Sequence, residues 1–247
     1  MSGDGTGTGG SSGAVTTERR DGGVLVCHLD DGKANALSTA MIAAVRAALD
    51  EAEADDDVTS LVLHGREGRF CAGFDLSVMR SGDARAMSDL VSDGGDLVRA
   101  LYGSTIPVVA ACTGHALAAG ALILLGCDVR VGADVDAKVG LNEVAIAMTL
   151  PDWAFAIAVD RLSRRHLQRS IANARITDPV GAVDAGFLDE VVPAERVLDV
   201  AVERAAELAA LDPRAYASTV RKLRGDVLEA MARGVERDRA SGAVPTA

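Results

Sequence analysis

Apolar positions along this chain fall into two rhythms. Short, nearly unbroken apolar runs recur at Val24–Leu29, Ser60–His64, Pro107–Cys112 and Asp128–Gly132. Runs of this length and composition predict strands covered on both faces. Between and after them, apolar residues return every three or four positions. Ser38 is placed to cap a helix that runs to about Ala54, with Met41, Ala44, Val45, Ala48 and Leu49 on one face. A second helical stretch is predicted over about Ala84–Tyr102. The final third reads as helices over about Trp153–Leu162, His166–Ala174, Asp178–Ala185, Glu195–Leu211 and Pro213–Met231. Pro193 and Pro213 stand where helices begin, a position proline tolerates. Gly65–Gly73 reads as a loop. Strands alternating with helices predict an α/β fold with a mainly parallel sheet.

The ends of the chain differ from this middle. Residues 1–14 are Gly, Ser and Thr apart from Met1, Asp4 and Ala14, with almost nothing to bury, so an unstructured tail is expected there. The expected organisation is that tail, an α/β core over 15–192 and a helical C-terminal region over 193–247. The chain of 247 residues is long enough for one substantial core. Aromatics make up only 3%, so that core must be built from Ala, Val, Leu and Ile. The formal net charge of −11 disfavours nucleic acid and anionic membrane as partners. No apolar run reaches the ~18 residues of a membrane helix, and no secretory signal pattern is present. A cytoplasmic location is expected. Cys27, Cys71, Cys112 and Cys127 show no paired spacing and read as reduced, buried small hydrophobes.

Candidate chemistry narrows quickly. The four histidines at 28, 64, 115 and 166 are dispersed, so no metal site is expected. No phosphate-binding loop, dinucleotide fingerprint or nucleophile elbow occurs. There remains a pair of strand-to-turn units. One continues from Leu61 into Phe70-Cys71-Ala72-Gly73-Phe74-Asp75-Leu76. The other continues from Val108 into Gly114-His115-Ala116-Leu117-Ala118-Ala119-Gly120. Both put small residues just beyond a strand's C-terminal end, where ligands bind in open α/β sheets. The second also opens a helix, whose free N–H groups favour negative charge.

These segments resemble those of the crotonase superfamily, the enoyl-CoA hydratase/isomerase family. Lys33-Ala34-Asn35-Ala36-Leu37 is similar to the family segment that lies against coenzyme A. Phe70–Leu76 is similar to its Phe-x-Ala-Gly-x-Asp loop, and Gly114–Gly120 to its Gly-x-Ala-x-Gly-Gly-Gly segment. Val139-Gly140-Leu141-Asn142-Glu143 and Ala185–Val192 are similar to two later elements. The resemblance covers roughly residues 20–230 and implies a fold of repeated ββα units with a helical C-terminal region. It implies an acyl-CoA substrate, no cofactor beyond the coenzyme A of that substrate, and homotrimers or hexamers.

The resemblance also implies roles. Backbone N–H groups of Phe74 and Ala119 form an oxyanion hole for the thioester. Lys33, Ala34, Ala36, Leu37, Ala72, Gly73, Asp75, Leu76, His115 and Gly120 are expected around the substrate. Hydratases of the family use two glutamates. One corresponds to Glu143, but the other position holds Leu122. Leucine cannot exchange a proton, which points away from water addition and towards double-bond isomerisation with Glu143 as sole acid/base. Thioester hydrolysis and acyl-CoA binding without catalysis are the alternatives. Trp153 is expected either to line the acyl pocket or to pack in the core. His115 is read as an auxiliary proton carrier or a packed side chain. Arg221, Lys222 and Arg224 are read as meeting coenzyme A phosphates or forming a solvated helix face.

Overall fold

The computed structural model describes residues 8–11 and 13–242. The expectations for Met1–Gly7, Ser12 and residues 243–247 lie outside the described residues. Among the described residues, strands β1 (Thr8–Ser11), β2 (Val15–Arg20), β3 (Val24–Leu29), β4 (Ser60–Gly65), β6 (Val108–Cys112), β8 (Val129–Ala133) and β10 (Glu190–Val192) form one sheet, in the order β1-β2-β3-β4-β6-β8-β10. Every pairing from β3 to β10 is parallel; β1 and β2 add antiparallel at one edge. A second sheet of three short parallel strands contains β5 (Gly68–Cys71), β7 (Gly114–Leu117) and β9 (Val139–Gly140), in that order. The two sheets share a rhythm: β4 leads to β5, β6 to β7 and β8 to β9, each pair succeeded by a helix. This is the expected α/β fold of ββα repeats.

The helices are α1 (Thr39–Ala54), α2 (Leu76–Met79), α3 (Ala84–Tyr102), α4 (Ala119–Gly126), α5 (Asp152–Arg161), α6 (Leu167–Ser170), α7 (Pro179–Ala185), α8 (Val197–Ala209) and α9 (Pro213–Ser241). Local chemistry fixes their starts. The Ser38 hydroxyl accepts from the Met41 N–H, and the carboxylates of Asp83, Asp178 and Asp212 do the same for Ala86, Gly181 and Ala215.

Alternation along the strands builds two cores. Leu25, Cys27, Leu29, Leu61, Leu63, Val108 and Ala110 face one side, with α1 and α3. Val24, Val26, Val62, Val109 and Ala111 face the other, against Val197, Val200, Ala201 and Ala205 of α8. Both faces are covered, which is why the strands read as continuous apolar runs.

Several expectations need correction. The stretch Gly65–Gly73 is not all loop, because β5 lies inside it, and Gly114–Leu117 is a strand before α4 begins. Part of the expected tail, Thr8–Ser11, forms an edge strand. The helix expected over His166–Ala174 covers only Leu167–Ser170, and the final helix runs ten residues past Met231 to Ser241. All four cysteines are free and buried, as expected.

A buried ion pair secures the last helix. The Arg224 guanidinium donates to Asp128 Oδ1 at 2.6 Å and to the Tyr102 carbonyl at 2.8 Å, and stacks on the Tyr102 ring at 4.5 Å. The other Asp128 oxygen accepts from the Val108 N–H at 2.7 Å. Both charged side chains are more than nine-tenths buried, so removing one strands the other. Asp128→Ala is expected to lower unfolding free energy by about 3–5 kcal/mol in urea titration. A loss below about 1 kcal/mol would show that α9 is held by apolar packing alone.

Candidate active site

The three strands of the small sheet end side by side, and the turns beyond their ends build the site. β5 runs into Ala72-Gly73-Phe74, β7 into Ala118-Ala119, and β9 into Leu141-Asn142-Glu143.

The first turn is held by the Lys33–Leu37 segment. Leu37 N–H donates to the Gly73 carbonyl at 2.8 Å, Asp75 N–H to the Leu37 carbonyl at 3.0 Å, and Ala72 N–H to the Ala34 carbonyl at 3.2 Å. This parallel bridge uses the groups on either side of Phe74. The N–H of Phe74 is left with no acceptor in the described chain. Gly73 sits at φ +99°, a conformation that favours glycine. Asp75 then caps α2, its Oδ1 accepting from the Ser77 N–H at 2.8 Å.

The Lys33–Leu37 segment is in turn pinned by Asn35 and Asp31. Asn35 is buried at φ 52°, and its Nδ2 reaches the carbonyls of Leu29, Arg69 and Phe70 at 2.7, 3.2 and 3.3 Å. Asp31 accepts from the N–H groups of Lys33, Asn35 and Ala36. Burial alone would raise its pKa, but those bonds hold it below the usual carboxylate value. Lys33 is exposed, while Ala34 and Ala36 are half-buried.

The second turn opens α4. Ala119 is its first residue, so its N–H has no intrahelical acceptor. A Cβ placed on Gly73 would lie 3.2 Å from Ala118 Cβ and 3.9 Å from Ala119 N, so the two turns touch. A Cβ on Gly120 would lie 2.1 Å from the Cys71 carbonyl oxygen, an impossible approach that only glycine avoids. Ala118 adopts φ 49°, ψ −121°, a strained conformation for any residue with a side chain. Together the turns bring two unpaired backbone donors to one place, a suitable arrangement for a developing oxyanion.

The third element brings the carboxylate. Pairing of β7 with β9, through Ala116 N–H to the Lys138 carbonyl and Ala118 N–H to the Gly140 carbonyl at 3.0 Å each, fixes Glu143 against these turns. Glu143 is 8% exposed, and its Oε2 is buried without a partner among the described residues. Burial raises its pKa to about 7, against weaker opposition from the N–H groups of Glu143 and Asn142. A carboxyl poised near neutrality can take and return a proton.

A cavity of about 110 Å³ joins these parts. Ala72, Gly73, Phe74, Leu76, Leu122, Glu143 and Trp153 line it. Leu122 is thus on the cavity wall with Glu143, where its side chain adds no proton carrier. Trp153 is fully buried and also walls the cavity. Met79, Val91, Ala118, Asn142, Ile146, Met148 and Pro151 complete the lining. Sequence reasoning missed Met79, Val91, Ile146, Met148 and Pro151, while Ala118 and Asn142 stood inside the quoted motifs without a role of their own. Lys33, Ala34, Ala36, Leu37, Asp75, Gly120 and His115 do not line it, and neither does Ala119, whose neighbour Ala118 does. His115 lies at the far end of β7, where its Nδ1 accepts from the Lys138 N–H at 2.9 Å. Arg221 and Lys222 are exposed, but Arg224 is buried against Asp128 and cannot meet a phosphate.

With this geometry in place, comparison with known proteins is informative. Residues 19–241 match the family described as enoyl-CoA hydratase/isomerase. The mouse mitochondrial enoyl-CoA delta isomerase 1 is 30% identical over 71% of this chain, an alignment spanning 61% of the mouse protein. A solved protein of Mycobacterium tuberculosis, described as an enoyl-CoA isomerase in one structure and a probable enoyl-CoA hydratase in another, is 39% identical, with TM-score 0.87 in the first, which covers 93% of this chain and 99% of that one. An enoyl-CoA hydratase/isomerase family protein of Pseudomonas syringae is 38% identical, with TM-score 0.89, covering 93% and 98%. The chain belongs to the enoyl-CoA hydratase/isomerase family and is a family enzyme of the crotonase superfamily.

Two substitutions test the contact between the turns. Ala118→Gly relieves backbone strain of about 1–3 kcal/mol against an entropic loss of about 1 kcal/mol. A small rise in melting temperature is therefore expected. Gly120→Ala is expected to lower it by several degrees, because the Cys71 backbone must move. The opposite order of stability would contradict the geometry.

Proposed function

We propose that this enzyme moves the double bond of a 3-enoyl-CoA to the 2-position, with Glu143 as sole acid/base. The observation that carries the reading is Glu143 buried with a raised pKa on a cavity wall whose other candidate position is Leu122. The mouse relative's name, enoyl-CoA delta isomerase 1, supports it, while the Mycobacterium tuberculosis relative is described as an isomerase in one structure and a probable hydratase in another.

The chemistry rests on the groups present. The thioester oxygen accepts from the N–H groups of Phe74 and Ala119. The Glu143 carboxylate removes a proton from C2, and the electron pair moves onto the carbonyl oxygen as an enolate. Each backbone donor contributes on the order of 2.7–4 kcal/mol to that charge. Protonated Glu143 then delivers the proton to C4, and the double bond settles between C2 and C3. No water enters and no atom is lost. Apolar neighbours such as Leu122 keep the carboxyl's pKa high enough for both halves of this transfer. Coenzyme A takes part only as a portion of the substrate.

Glu143→Gln is expected to lower kcat by about 10³-fold or more while acyl-CoA binding is retained. Full turnover in that variant would overturn the assignment. The base must be ionised, so kcat/KM should rise with pH through an acid limb near 7, where burial places Glu143. A limb in the ordinary carboxylate range would contradict it.

The assembly proposed is a homotrimer, or a hexamer of two trimers, in the cytoplasm. Val144, Phe155 and Val159 are 49%, 39% and 52% exposed, and Val144 and Phe155 line one surface hollow, an apolar surface suited to contact with a second copy. Light scattering should then give three or six times the 25.4 kDa of one chain. A monomer mass would reject the assembly.

A further inference from the structure

Two adjacent glycines, Gly94 and Gly95, lie in the middle of α3, where glycine weakens a helix. The packing explains both. A Cβ on Gly94 would lie 2.5 Å from Phe74 Cε1 and 2.7 Å from its Cζ. A Cβ on Gly95 would lie 2.9 Å from both Cδ2 and Cε2 of Trp153. The two aromatic rings that line the cavity therefore press directly on the α3 backbone. A Cβ on Gly234 of α9 would lie 2.6 Å from the backbone N of Trp153, so α9 packs on its main chain, and Val235 Cγ2 would lie 2.7 Å from a Cβ on Gly95. Trp153 is 0% exposed, so its ring is a fixed wall and not a movable gate.

We infer that the Phe74–Gly94 and Trp153–Gly95 contacts close the inner end of the acyl pocket and restrict the enzyme to short-chain acyl-CoAs. This rests on the acyl-CoA reading of the site and adds its chain-length class. The volume gives the scale. A cavity of ~150 Å³ takes benzene, roughly 25 Å³ per carbon. The 110 Å³ here then holds about four carbons, enough for butanoyl- to hexanoyl-length chains once the mouth is counted. Leu76 and Ile146, exposed and lining the cavity, mark that mouth. Longer chains meet two rings backed by helix backbone.

Calorimetric titration of the intact enzyme with acetyl-, butanoyl-, hexanoyl-, octanoyl- and decanoyl-CoA tests this. Affinity should rise about fourfold per added methylene while the chain is being buried. It should then stop rising, or fall, beyond hexanoyl. Trp153→Ala and the milder Phe74→Ala should extend the rise to octanoyl or decanoyl, tightening decanoyl-CoA at least about tenfold. The wild-type series decides the matter even where Trp153→Ala does not fold. A steady rise through decanoyl-CoA in the wild type would overturn the length limit and leave the acyl-CoA reading intact. Failure of every acyl-CoA to bind would overturn that reading, and the limit with it.

Discussion

The close approach of α4 to the end of β5 is the constraint on which the site depends. Gly120 lies so near the Cys71 carbonyl that any side chain there is excluded. That contact puts the free N–H of Ala119 next to the turn that carries the free N–H of Phe74. Neither donor is a side chain, and neither needs a particular residue type to exist. Their position comes from the small sheet β5-β7-β9, the Asn35 bridge beneath it, and a strained backbone at Ala118. The tight packing of the two turns is what sustains that strain.

The same sheet explains the chemistry of Glu143. Pairing of β9 with β7 delivers the carboxylate to the cavity wall, where its Oε2 finds no partner among the described residues. An isolated buried carboxyl favours its neutral form. Leu122 across the same cavity supplies bulk and low polarity in place of a second acid. A single carboxyl near neutrality suits a reaction in which one proton leaves and one returns. It suits poorly a reaction that must also hold and split water.

Much of this was legible in the sequence because it rests on local rules. The runs of β3, β4, β6 and β8 are apolar on both faces, and Ser38 announces α1. The turn motifs Ala72–Asp75 and Ala118–Gly120 stand out through their small residues. The features that stayed hidden depend on distant contacts. β5 and β7 are four residues each and pair mainly with one another, too short for a periodic signal. β2, Val-Thr-Thr-Glu-Arg-Arg, is a polar strand near the sheet edge that buries little besides Val15. Asn35 reads as an ordinary turn residue until its amide is seen to join three carbonyls. Gly234 looks unsuited to a helix interior, yet α9 continues through it because Trp153 needs the space. The Gly94–Gly95 pair carried the same message within α3.

The central claim is that this site moves a proton and leaves the atoms of its substrate unchanged in number. Chromatography with ultraviolet detection, coupled to mass spectrometry, of a 3-enoyl-CoA incubated with the intact enzyme tests that claim most directly. The account predicts a product of unchanged mass whose double bond has become conjugated with the thioester. A product heavier by one water, formed by this enzyme alone, or release of free coenzyme A, would contradict it.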